Sequence, residues 1–86
     1  MAGVIAKYIV YYTKEIPQKL LDLVVTDRNI LLVKNGLSNI NGYKCPQVSL
    51  QVSPINSRVD HQRVIALTSL LDSLIKTGLL EHYSKT

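Results

Sequence analysis

The sequence predicts an α+β domain: a three-stranded antiparallel sheet with a short helix and a long C-terminal helix packed on one face. Three observations carry this expectation. Residues 4–13 are β-branched and aromatic without Gly or Pro, residues 47–53 alternate polar and apolar, and apolar residues recur at helical spacing from Val64 to Gly78. At 86 residues and 9.6 kDa, the chain has room for one core, since a chain near this length buries only about 60% of the surface its unfolded form exposes. A single domain over 1–86 follows.

The first strand, residues 4–13, places Val4, Ala6, Tyr8, Val10 and Tyr12 on one face and Ile5, Lys7, Ile9, Tyr11 and Thr13 on the other. Both faces are largely apolar, so the strand calls for cover on both sides. The chain's own helix supplies one cover and another subunit the second; Tyr8 and Val10 are candidate partner contacts. Residues 14–25 are open to two readings. Pro17 suits a first helical turn, and Ile16, Leu20, Leu23 and Val24 recur at helical spacing. Equally, Leu21–Val25 and Ile30–Val33 flank the polar Thr26-Asp27-Arg28-Asn29, as two strands joined by a turn would. A helix over about 15–24 is favoured.

Ile30–Lys34 then forms a strand stopped by Asn35-Gly36, and residues 35–46, with Gly36, Asn39, Asn41, Gly42 and Pro46, form a loop. Residues 47–53 put Val48, Leu50 and Val52 on a buried face and end at Pro54. The long helix starts at Asn56 or Ser57, where Ser57 to Asp60 approximates a capping box, and runs to about Tyr83. Val64, Leu67, Leu70, Leu71, Leu74, Ile75 and Gly78 fill an arc of about 140°. Ile65, Leu79 and Leu80 fall outside that arc, leaving the far side of the helix partly apolar as well.

No arrangement of residues points to catalysis. The six carboxylates include no acid/base spacing, the four glycines are isolated, and His61 and His82 sit about 30 Å apart along the expected helix. No catalytic residue, metal site or cofactor is expected, and the chain is not expected to be an enzyme. Cys45, the single cysteine, provides no disulfide framework, and no apolar run approaches about 20 residues. A cytoplasmic protein without signal peptide or membrane span is therefore expected.

Ten Lys+Arg against six Asp+Glu give a net charge of +4 and favour polyanions in general. Residues 1–44 carry six of the basic groups and three of the acidic ones. Lys7, Arg28, Lys34, Lys44 and Arg63 are candidate phosphate contacts on charge alone. Tyr11 and Tyr12 alternate across the strand, which argues against one aromatic platform for bases. Ordering so short a chain leaves a thin surplus of stability, and with no disulfide or metal the remaining support is association with another chain.

The strand Val48-Ser49-Leu50-Gln51-Val52 followed by the helical Arg63-Val64-Ile65-Ala66-Leu67-Thr68-Ser69-Leu70-Leu71-Asp72-Ser73-Leu74-Ile75-Lys76-Thr77 resembles the closing strand and helix of the CTAG/Pcc family. These are the small dimerising subunits of the KEOPS complex, which makes threonylcarbamoyladenosine in tRNA. The resemblance implies a non-catalytic subunit that dimerises through edge strands into a continuous sheet, docks on the catalytic subunit and assists tRNA binding. It further implies that Leu67, Leu70, Leu71, Leu74 and Ile75 make the sheet and partner contacts. Two other readings remain: a homodimeric small DNA-binding or regulatory protein, and a roadblock-type adaptor, which requires a hairpin at Leu23–Asn29.

Overall fold

The alternation of β1 buries one of its faces and leaves the other to solvent, and the rest of the fold is arranged around that split. The computed structural model describes residues 3–40 and 42–86. Its elements are β1 (Ala6–Tyr12), α1 (Gln18–Thr26), β2 (Ile30–Ile40), β3 (Tyr43–Val52), α2 (Ser57–Lys76) and β4 (Leu80–Lys85). The sheet is antiparallel throughout, in the order β2-β3-β1-β4. β3 thus lies between β1 and β2, and β1 between β3 and β4, which is the β-α-β-β-α-β arrangement called ferredoxin-like or split β-α-β.

Ala6, Tyr8 and Val10 of β1 oppose Val52, Leu50 and Val48 of β3, and all six are buried under the helices with Leu20 of α1 and Leu67, Leu71 and Leu74 of α2. The phenol of Tyr8 hydrogen-bonds Thr68 Oγ1 at 2.9 Å, which satisfies the one polar group that this strand carries into the core. Tyr83 of β4 donates to Asp72 Oδ1 at 2.5 Å and so ties the last strand to α2. That hydrogen bond to a carboxylate, reinforced by burial, pushes the Tyr83 phenol up to about 12.

Four strands replace the expected three, and the difference lies at the end of α2. The helix stops at Lys76, not near Tyr83, because Gly78 adopts φ +79°. Gly78 N–H bonds Ile75 O at 3.0 Å and Leu79 N–H bonds Leu74 O at 2.9 Å, a Schellman cap that turns the chain back as β4. Leu79 and Leu80 miss the helical stripe for this reason, and Leu80 is buried as the first residue of a strand. Gly78→Ala is expected to cost about 1 kcal/mol, since only glycine enters this region without strain; a urea titration reads the loss directly.

The expected loop at 35–46 is mostly hairpin, with residue 41 outside the described residues. Asn35-Gly36 does not end β2 but forms a bulge: the register shifts between Lys34 and Gly36, and Gly36 takes φ +83°. Beyond it the β2–β3 ribbon continues past the part of β3 that pairs with β1. The molecule measures 40 × 26 × 20 Å and exposes 5745 Å², against about 5,100 Å² for a compact monomer of this mass. The projecting ribbon is one source of the excess.

The helical reading of the ambiguous segment holds, shifted to Gln18–Thr26. Pro17 precedes it, accepting hydrogen bonds from the N–H groups of Leu20 and Leu21, and Leu20 fills the core. The hairpin at Leu23–Asn29 that a roadblock-type adaptor requires is not formed, because α1 runs through Thr26.

Candidate interaction surface

With both helices on the inner face, no element among the described residues covers the outer face of the sheet. Register places its side chains in three rows, each running β4, β1, β3, β2. The first is His82, Tyr11, Gln47 and Gly36; the second Ser84, Ile9, Ser49 and Val33; in the third, Lys7, Gln51 and Leu31 follow from β1 to β2. Ser49 is buried between its neighbours, whereas Leu31 and Val33 on β2 are 57% and 39% exposed. The exposed apolar side chains of this face are thus on β2, whereas β3 presents Gln47, Ser49 and Gln51 and the β1–β4 half is polar and aromatic apart from Ile9.

The two sheet edges differ as well. β4 has six residues, carries Glu81, His82 and Lys85, and is bulged where Tyr12 pairs with Leu80 and Tyr11 with His82. β2 has eleven residues, and its segment Ile30-Leu31-Leu32-Val33 presents an open edge without charge, proline or bulge. Charges, bulges and shortness are how natural sheets block pairing at an edge; β4 has all three, whereas β2 is the longer strand and carries its charge and its bulge only from Lys34 onward.

The side chains expected to meet a partner are distributed unevenly. Tyr8, Val10, Leu67, Leu71 and Leu74 are buried in the chain's own core, and Leu70 and Ile75 pack partly buried against it. They provide the sheet contacts of α2. On the outer face it is Leu31 and Val33 of β2 that provide exposed apolar surface, while Ile9 and Tyr11 of β1 are half-buried.

Among the expected phosphate contacts, Lys7 lies on the outer face, Arg28 is exposed in the turn before β2, and Lys34 and Lys44 are exposed on the inner-face side of the β2–β3 ribbon. Lys34 and Lys14 border one cleft with Glu15, and Lys44 borders another with Glu81. The five do not converge on a single patch.

Arg63 is engaged inside the molecule. Its Nε and Nη2 donate to the two carboxylate oxygens of Asp27 at 2.6 and 3.0 Å, and Nη1 donates to Asp60 Oδ1 at 2.7 Å and Ser53 O at 2.9 Å. Its side chain is 12% exposed. The guanidinium locks the turn after α1 to the start of α2, where Asn56 caps the helix by accepting from Val59 N–H and Asp60 accepts from Ile55 N–H. The hydrogen bond from Arg63 holds the Asp27 carboxyl below the usual carboxylate range, against the opposing effect of burial.

Family models, curated proteins and solved structures gave no match for this chain.

Among the described residues no group of three or more His, Cys, Asp or Glu is placed to hold a metal, and no helix is long and apolar enough to cross a membrane. Sequence reasoning missed two parts of this surface. The sequence pattern places His82 at a helix end, yet it is the cross-strand partner of Tyr11, with ring centroids 5.8 Å apart and planes at 22°. The break in the helical stripe at Leu79 and the glycine before it were the available signals. The sequence pattern places Leu31 and Val33 on a strand, but their position at an edge depends on strand order, which local sequence does not encode.

Proposed function

We propose that this protein is a non-catalytic subunit that self-associates through the β2 edge, extending its sheet into that of a second copy. The unguarded edge Ile30–Val33, with the exposed Leu31 and Val33 beside it, carries the reading. Antiparallel pairing of two β2 strands satisfies the open backbone groups and buries Leu31 and Val33 against their copies. A subunit of a tRNA threonylcarbamoyladenosine modification complex, as the CTAG/Pcc likeness implies, is one such assembly. The net charge of +4 supports an accompanying role in holding RNA, with Lys7, Arg28, Lys34 and Lys44 as its exposed phosphate contacts.

Sedimentation equilibrium tests the association. The wild type is expected at twice the monomer mass of 9.6 kDa, and the double variant Leu31→Lys/Val33→Lys at the monomer mass with its circular dichroism unchanged, because both positions are exposed. A wild type that sediments as a monomer at every concentration overturns the proposal, and so does a double variant that remains dimeric.

A further inference from the structure

We infer that the β1–β4 half of the outer face is a binding site for single-stranded nucleic acid, in which Tyr11 and His82 form the platform on which a base stacks. The two rings belong to neighbouring strands in register on the outer face and stack on one another, with the exposed His82 as the outer ring of the stack. His82 is exposed and Tyr11 half-buried, so the pair is anchored on the sheet yet open from outside. A base that stacks on the free face of His82 extends this stack, and any base can do so, because every base offers a π-face.

The groups around the platform suit the rest of a nucleotide strand. Gln47 stands beside Tyr11 on β3 and Gln51 beside Lys7, each amide offering both donors and an acceptor to base edges or sugar hydroxyls. Ser84, between the two rows on β4, adds a hydroxyl. Lys7 lies on the same face four residues from Tyr11, about 13 Å along the strand, where the backbone of an oligonucleotide lying across the sheet passes. None of the side chains in the three rows is a carboxylate, whereas Asp22 lies on α1 and Asp60 and Asp72 on α2. Glu81, at the bulge beside the platform, borders the neighbouring cleft with Lys44. This charge distribution favours a polyanion over an acidic or purely apolar partner. A duplex does not fit the platform, since its bases are already stacked on each other; the chemistry selects unpaired bases.

The site is separate from the β2 edge, so it stands whether or not the protein dimerises. The test is fluorescence anisotropy with a labelled twelve-nucleotide uridine RNA, the corresponding thymidine DNA and a duplex of the same length. Single strands are expected to bind and the duplex to bind at least tenfold more weakly. Tyr11→Ala and His82→Ala are each expected to weaken single-strand binding about tenfold, while Tyr11→Phe keeps it. Lys7→Ala is expected to lower the slope of log affinity against log salt by about one. If Tyr11→Ala does not fold, His82→Ala carries the test, because His82 is exposed. Absence of single-strand binding, equal binding of the duplex, or affinity indifferent to both ring deletions overturns the proposal. A preference between RNA and DNA shows which sugar the Gln and Ser groups read, and either preference supports it.

Discussion

Leu71→Ala is expected to destabilise the fold by about 3 kcal/mol, the cost of a leucine-sized cavity in a packed core. Leu71 is fully buried among Leu67, Leu74, Tyr8 and the strand residues beneath α2. For a domain of this size the loss lowers the thermal midpoint by about 12 °C or more, read by circular dichroism on the isolated chain. The experiment also separates the two roles open to the apolar stripe of α2. A leucine that served a partner would leave the isolated chain as stable as the wild type, and a loss below about 1 kcal/mol contradicts the core assignment.

The second large effect is expected at Arg63. Arg63→Met removes four hydrogen bonds at one stroke and leaves Asp27, whose side chain is 14% exposed, without its cation. A loss of about 2–3 kcal/mol near neutral pH is expected, as for other partly buried ion pairs broken from one side. The pH dependence is specific. The Asp27 carboxyl is lowered from 3.8 by the Arg63 hydrogen bond, so its contribution is fully present above about pH 4 and is lost as pH falls through the lowered folded value. The gap between variant and wild type is therefore widest near neutral pH and narrows on acidification below pH 4. Urea titrations at a series of pH values check this; a gap that stays constant or widens in acid contradicts the assignment. Weakened RNA binding with unchanged stability would instead return Arg63 to the role that its charge alone suggested.

How much of this was legible beforehand depends on the range of the interaction concerned. The inner face of β1, the buried alternation Val48, Leu50, Val52 and the stripe of α2 are local periodicities, and the faces they assign are the ones buried, although β3 begins earlier and α2 ends earlier than expected. Pro17 and Asn56 likewise marked helix starts through local chemistry. The end of α2 was readable but outweighed: Gly78 stood inside a long apolar pattern, and Leu79-Leu80 continued its hydrophobicity while leaving its phase. Asn35-Gly36 has the composition of a turn, yet pairing with β3 continues on both sides and converts it to a bulge. Neither the Tyr11–His82 pair nor the contrast between the β2 and β4 edges lies within one element. Both arise from strand order and register, which join residues as far apart in the chain as Tyr8 and Lys85.

The claim on which the functional account rests is that the edge of β2 is completed by a second chain. Amide hydrogen exchange, followed by NMR across a dilution series, tests it most directly. Those N–H groups of Leu31–Lys34 that do not bond to β3 are predicted to be protected at high protein concentration and to lose protection on dilution, while the outward amides of β4 exchange freely throughout; Ile30 N–H already bonds Asp27 O within the chain and is left out of the test. Free exchange of the outward β2 amides at every concentration would contradict the account.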